Sequence, residues 1–476
     1  PLVEWLNTTP AAIGGDLRVV AGDLEGDSIG SWVKTLLADA FYWTDNDIVV
    51  QTRSMYGGAP RRAGASFLLD QGGKVTHFNY FGNERTAAGV VSGLIDDRPS
   101  GFRPIGPLSW AGEDSSGVRA ARAADDRPPG SLPAVFVLPG ILGSHLKAGD
   151  KRIWLSLRLI GGLSQLEYRD GVADDVSPDG PIGMFYDDLI EHLSATHEVI
   201  PFAFDWRRPI EDEARRLADA VTRALDARDA SGQPVRLIAH SMGGVVARTM
   251  QIEQPAVWQR LMARDGARLV MLGTPNGGSW APMQVLSGDD AFGNALAAFG
   301  APFQDRQARQ LMAAMPGFLQ LQMGLLDEAQ GLAREATWRE LAAKDLQMVR
   351  DAAWWHRNWL AGQDDNSHLE PYEWGVPPQP VLDRAVKLRR ALDAQREKAL
   401  PGFADKLALV VGHAKFTPDG WEWTDKGLMY LDAVDGGDGR VPLASALLPG
   451  VLTWSLDCDH GALPDAKAAL GAFVDL

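Results

Sequence analysis

The stretch VRLIAHSMGGVVARTM, residues 235–250, decides the reading of this chain. Val235 to Ala239 form a run that is apolar except for Arg236, the pattern of a buried strand. From Gly243 to Glu253 the spacing becomes helical. Ser241 lies between the two. A strand turning directly into a helix lifts such a serine hydroxyl above the end of a sheet. The turn is strained and demands small residues two places before and after the serine. Here they are Ala239 and Gly243, alanine standing where glycine is usual. The N-terminus of the following helix aims its dipole at the same point and favours an oxyanion.

Outward from this stretch the same rhythm repeats. Ala134–Leu138, His197–Pro201, Arg268–Leu272 and Leu407–Val411 are further apolar strands. Tyr186–Ser194 and Glu211–Arg228 are amphipathic helices between them. Apolar strands alternating with helices predict an α/β fold, a mostly parallel sheet flanked by helices. Residues 134–476 are expected to form this catalytic domain. Within it, about 280–400 break the alternation as a helical cap. The cap is rich in tryptophan (Trp280, Trp338, Trp354, Trp355, Trp359, Trp374), which fills the cap's own core or lines an apolar channel. Residues 1–96 read as a small N-terminal α/β accessory domain, with strands at Leu17–Val20 and Asp47–Val50 and a helix at Ser31–Phe41. Residues 97–133, punctuated by Pro and Gly, read as a linker.

Composition narrows the function. Over 476 residues, 46 Lys and Arg against 62 Asp and Glu leave a net charge of -16, which repels phosphate backbones and argues against nucleic-acid binding. No apolar run reaches the roughly 18 residues of a membrane helix, so no integral membrane span is expected. A single cysteine, Cys458, excludes an intrachain disulfide and a cysteine zinc site. The default compartment is the cytoplasm, with secretion left open because the chain starts at Pro1 without Met. No cofactor and no metal are expected. His356, Asp364, Asp365 and His368 have metal-ligand types but read as a solvated polar loop.

A serine nucleophile needs a base, an orienting acid and oxyanion donors. In a sheet of this kind the chain order is serine, acid, histidine. DGGDGRVP, residues 435–442, offers Asp438 between two glycines, with Asp435 as competitor. His460, in DCDHG at 457–461, is the candidate base; His413 precedes the acid loop, the wrong order. The Met242 amide follows the serine and is one oxyanion donor. The other is the Ile141 amide in LPGILGS, residues 138–144, after the domain's first strand. That loop has no Gly-Lys-Ser/Thr and does not cradle phosphate. Arg207 shapes the wall near the site or steers an anionic substrate.

Six motifs in order, PGILGS (139–144), AFDWR (203–207), AHSMGG (239–244), GTPNGG (273–278), GDGRVP (437–442) and DHG (459–461), resemble the lecithin:cholesterol acyltransferase and lysosomal phospholipase family of α/β-hydrolases. The resemblance runs over about residues 134–476. It implies the α/β-hydrolase fold, with Ser241 as nucleophile, Asp438 as acid, His460 as base and the Ile141 and Met242 amides as oxyanion hole. It also implies a hydrophobic or lipid ester as substrate. Two features depart from the family. Arg440 stands where its GlyAspGlyThr has Thr, and one cysteine cannot tether a lid by a disulfide. Serine ester hydrolysis is the expectation. Acyl transfer to an alcohol, amide or polymer-ester hydrolysis, and a non-catalytic binding protein on the same scaffold are the alternatives.

Overall fold

The computed structural model describes residues 17–23, 65–71, 84–97, 99, 102–105, 130–149, 151–154, 166–172, 174–289, 305–352, 373–424, 427–466, 469 and 473. The chain divides into two compact units, Pro1–Ser115 and Ser116–Leu476. In the first, β1 (Leu17–Asp23) pairs in parallel with β2 (Ala65–Gln71), and β3 (Arg103–Ile105) adds antiparallel to β2. Helix α1 (Glu84–Ile95) lies close on this sheet: a Cβ on Gly89 would come within 2.2 Å of Leu68 Cδ2. Arg18 Nη1 donates to the Gly93 and Asp96 carbonyls at 2.8 and 2.6 Å, capping the helix end where its dipole is negative. The predicted elements at Ser31–Phe41 and Asp47–Val50 lie outside the described residues.

The second unit is built on six strands: β4 (Ala134–Leu138), β8 (Glu198–Pro201), β9 (Val235–His240), β10 (Leu269–Leu272), β11 (Leu407–Val411) and β14 (Leu452–Ser455). The strands between them in sequence, β5 (Ser144–Ala148), β6 (Lys151–Arg152), β7 (Val176–Pro181), β12 (Pro418–Thr424) and β13 (Gly427–Asp432), form two small separate sheets. The six lie in the order β14-β11-β10-β9-β4-β8, every pair parallel. This is the parallel α/β sheet that the alternation predicts, in the strand order of the α/β-hydrolase fold that the resemblance implies.

Strand side chains alternate between the two faces. Phe136, Leu138, Leu237, Ala239 and Met271 join one buried cluster; Val135, Val137, Ile238, Val270 and Leu272 join the other. Burial on both faces explains why β4 and β10 are unbroken apolar runs and why β9 is apolar but for Arg236 and His240. Helix α2 (Gly183–Ser194) covers the second face through Leu189, Ile190 and Leu193. Helices α3 (Ile210–Asp226) and α4 (Met242–Glu253) cover the first through Leu217, Val221, Val246 and Met250.

Chain order reverses at β4. From it the chain steps out to β8 on one side, then returns to β9 on the other. Open parallel sheets place their sites beyond the strands' C-terminal ends at such a reversal. The two segments that leave there are Pro139–Ser144 and the turn at Ser241.

In the 280–400 stretch, Trp280, Trp338 and Trp374 are buried in the main apolar cluster. The Trp338 indole N–H donates to the Leu332 carbonyl at 2.8 Å, and that of Trp374 to Asp345 Oδ2 at 2.9 Å. These three are core residues. Trp354, Trp355 and Trp359 lie outside the described residues, as do His356, Asp364, Asp365 and His368. The last helix of the stretch, α5 (Gln379–Lys398), packs on α4. Arg248 Nε donates to Gln395 Oε1 at 3.0 Å and Nη2 to the Leu392 carbonyl at 2.8 Å. Among the described residues no helix is long and apolar enough to cross a membrane.

Candidate active site

Ser241 sits between β9 and α4 with φ 51° and ψ -121°. Among the described residues only Leu142 and Ser241 are non-glycine residues with positive φ. Such conformations cost on the order of 1–3 kcal/mol and gather at functional sites. Both lie where β4 and β9 end. The Ser241 N–H donates to the Leu272 carbonyl of β10 at 2.8 Å, which pins the strained residue to the neighbouring strand. Small neighbours are required for close approach: a Cβ on Gly243 would lie 2.5 Å from the Pro139 carbonyl oxygen.

Three residues far apart in sequence meet here. Ser241 Oγ lies 2.8 Å from His460 Nε2, and His460 Nδ1 lies 2.8 Å from Asp438 Oδ2. The second oxygen of Asp438, Oδ1, accepts the Arg440 and Val441 N–H groups at 3.0 and 2.8 Å. Asp438 is 3% exposed. Burial pushes its carboxyl up, but the His460 charge, its hydrogen bond and the two backbone donors outweigh that and hold it below the usual carboxylate value. Asp435, the competing acid, is exposed, and so is His413.

The loops that carry the pair are locked to each other. The His460 N–H donates to the Asp438 carbonyl at 2.8 Å, and Ser279 Oγ donates to the Arg440 carbonyl at 2.5 Å. Gly273, with φ +55°, supplies the room: a Cβ there would lie 2.8 Å from Asp438 Oδ2 and 3.0 Å from His460 Nδ1. Cys458 is half-buried while Asp457 and Asp459 face outward. The Cys458 carbonyl accepts the His413 N–H at 2.8 Å. Burial, then Asp459, Asp438 and Asp457, raises its thiol pKa.

On the other side of Ser241 lies the loop after β4. A Cβ on Gly140 would be 3.1 Å from Ser241 Cβ, so Gly140–Ile141 borders the serine. Gly140 to Gly143 close a tight turn by a Gly143 N–H bond to the Gly140 carbonyl at 3.1 Å, with Leu142 at φ 61°. The Trp154 indole N–H holds the Leu142 carbonyl at 2.8 Å. Met242 begins α4 and is fully buried.

Arg207 lies away from this chemistry. It is buried and forked onto Asp205, Nε to Oδ1 at 2.9 Å and Nη2 to Oδ2 at 2.7 Å, with Asp174 Oδ2 at 2.9 Å. Its charge is already committed to these two carboxylates. Two further site residues escape a reading of the sequence alone. Tyr186, on what reads as an ordinary amphipathic helix, reaches His240 Nδ1 at 2.8 Å. His240 reaches the His460 carbonyl at 3.0 Å through Nε2. Their only signal is position: one precedes the serine, and the other sits on the apolar face of a helix ending near β4.

A hydroxyl bonded to an imidazole whose other nitrogen meets a buried carboxylate is an arrangement in which the ring takes up the hydroxyl proton. Among the described residues, no group of three His, Cys, Asp or Glu side chains is placed to hold a metal ion.

Residues 155–324 match the lecithin:cholesterol acyltransferase family model; the matched span includes Ser241 and stops short of Asp438 and His460. No curated protein matches the chain. Solved structures that resemble it include the following three. The mature lipase BlEst2 of Bacillus licheniformis is 12% identical, covers 74% of this chain and 94% of its own, and has a TM-score of 0.30. The metagenomic carboxyl esterase MGS0156 is 12% identical, covers 74% and 77%, and scores 0.32. The phospholipase PlaB of Legionella pneumophila is 13% identical, covers 67% and 46%, and scores 0.27. The sheet order is that of the α/β-hydrolase fold, and over residues 155–324 the chain is similar to the lecithin:cholesterol acyltransferase family.

Proposed function

We propose that the chain is a serine hydrolase that cleaves carboxylic esters of hydrophobic or lipid-like substrates through an acyl-enzyme. The observation that carries this is the unbroken 2.8 Å and 2.8 Å path from Ser241 through His460 to Asp438, with the serine on a strained strand-to-helix turn. Ser241 Oγ attacks the ester carbonyl as His460 Nε2 takes its proton. Asp438 holds the imidazole in the tautomer that presents a free Nε2 and stabilises the imidazolium. The Ile141 and Met242 amides receive the oxyanion. The imidazolium then gives its proton to the leaving alkoxide, and water, deprotonated by His460, frees the acid and restores Ser241.

The family match over residues 155–324 supports a second reading, in which an alcohol replaces water in the last step. The same residues serve both. The assay is hydrolysis of p-nitrophenyl esters of increasing acyl length by the wild type and Ser241→Ala. The variant is expected to lose activity by roughly 10⁴ to 10⁶; an unaffected variant removes the assignment. Added alcohol that diverts acid into a new ester without slowing p-nitrophenol release marks the transferase.

We also propose that residues 1–96 form an accessory domain whose sheet β3 (Arg103–Ile105) completes, and that the rest of the 97–133 stretch links it to the catalytic domain 134–476. Limited proteolysis is expected to cut first within 97–133 and leave a stable fragment of about the catalytic domain's mass. First cuts inside 134–289 would contradict that division.

A further inference from the structure

A buried chain of hydrogen bonds runs behind the serine. The Gly140 N–H donates to Tyr186 Oη at 2.8 Å, Tyr186 Oη lies 2.8 Å from His240 Nδ1, and His240 Nε2 lies 3.0 Å from the His460 carbonyl oxygen. The two ends dictate everything between them. A backbone amide only donates and a backbone carbonyl only accepts. His240 therefore carries its proton on Nε2, and the Tyr186 hydroxyl donates to Nδ1. This arrangement needs a neutral imidazole. Burial, with the His460 charge next, lowers the His240 pKa to about 3.

The backbone is shaped around this chain. A Cβ on Gly143 would lie 2.9 Å from Tyr186 Oη, and one on Gly140 would lie 3.1 Å from His240 Nδ1. Gly140 is thus held on both sides, its N–H by Tyr186 and its carbonyl by the Gly143 N–H at 3.1 Å. The carbonyl and N–H of one trans peptide point in opposite directions. Fixing the Gly140 carbonyl toward Gly143 therefore aims the Ile141 N–H the other way.

We propose that Tyr186 and His240 are positioning residues of the ester-cleaving site, tying the loop that offers the Ile141 amide to the backbone of the base, His460. The inference rests on the function proposed above. Neither side chain acts on the substrate; each holds a group that does. The neutrality of His240 has a second use. When His460 takes the serine proton it becomes a cation, and its ring centroid is 5.0 Å from that of His240. A charged His240 would oppose that step; a neutral one does not.

The test uses the full chain with Tyr186→Phe, which keeps the ring and removes the hydroxyl, His240→Gln, and the double variant. Active sites are counted by fluorophosphonate titration, and kcat is expressed per titrated site. Each single variant is expected to lose about ten- to hundredfold in kcat, the scale of a slightly misaimed donor, with KM within about twofold of wild type. The double variant is expected to lose about as much as the worse single, because one chain is cut twice. A merely structural role would lower the melting temperature and the number of titrated sites while leaving kcat per site intact. That result, or losses in the double variant that multiply fully, overturns the inference. His240→Gln alone decides if Tyr186→Phe does not fold. An inert wild type, or an active Ser241→Ala, overturns the function and this inference together. A serine-dependent wild type with an unchanged Tyr186→Phe overturns this inference only.

Discussion

At Gly273 the chain turns with φ +55°, and the absent side chain is what lets Asp438 and His460 meet above β10. Gly273→Ala would set a methyl 2.7 Å from Leu463 Cδ1 and 2.8 Å from Asp438 Oδ2, and the backbone itself would be strained. We expect the variant to fold with reduced stability and to lose about a hundredfold in ester hydrolysis, measured as the p-nitrophenol rate of soluble, monodisperse protein. Retention of full activity would mean the pair tolerates displacement. The residues that perform the proposed chemistry were legible because their types are scarce and ordered: one serine between small residues, then an acid between glycines, then a late histidine. Those that hold them were not. Gly273 reads as one glycine of a motif, and Tyr186 as one apolar position of a helix. The contacts that matter here reach across 165 positions from Gly273 to Asp438 and 46 from Tyr186 to Gly140, which no local pattern encodes.

Helix α4 is seated by two glycines with different partners. Gly243 faces the Pro139 carbonyl, while a Cβ on Gly244 would lie 2.0 Å from Thr274 Oγ1 and 2.6 Å from its Cγ2. The second glycine of AHSMGG is thus matched to the threonine of GTPNGG. Gly244→Ala is expected to destabilise the chain by about 1–3 kcal/mol through overpacking. Adding Thr274→Ala should recover part of that loss, read as the midpoint shift in urea unfolding; equal midpoints for the single and double variants would refute the pairing. Lower on the same helix, Arg248 is fully buried, and burial, with the Arg389 charge next, lowers its pKa to about 9. Its Nη1 donates to both the carbonyl and Oδ1 of Asn276 at 3.0 Å, and Arg389 Nη2 reaches the same carbonyl at 2.7 Å. Asn276 Nδ2 in turn donates to the Ala446 carbonyl at 2.7 Å. Asn276, through its carbonyl and its side chain together, therefore joins α4, α5 and the segment behind the acid loop. Periodicity predicts each of these helices, but not that α5, inside the stretch read as a cap, packs on α4.

Across the whole molecule, buried neutral histidines set how the fold responds to acid. His197 is held by Thr196 Oγ1 at 2.8 Å and Arg236 Nη1 at 3.1 Å, and burial, then the Arg236 charge, lowers its pKa from 6.5 to about 4. Its unfolded form binds a proton that its folded form refuses, so stability falls as pH drops from about 6.5 toward 4. Asp438, with its pKa depressed, supports the fold above the ordinary carboxylate range and gives way only at lower pH. The melting temperature is expected to decline between pH 7 and 5, and His197→Gln to flatten that decline; parallel curves would assign the acid sensitivity elsewhere. The sheet was readable in advance because β4, β10 and β11 are covered on both faces and apolar throughout, and β9 is broken only by Arg236 before His240. The exposed edge strand β14 lacks that burial and is fixed by pairing with β11 instead. Just beyond it, the chain's one thiol lies two residues from His460, facing inward and with its thiolate disfavoured. An alkylating reagent consumes such a half-buried thiol slowly while its segment is seated and faster whenever the segment swings open. A variant that loosens the His460 loop should therefore shorten the half-life of Cys458 in iodoacetamide relative to wild type, a comparison that needs no added label.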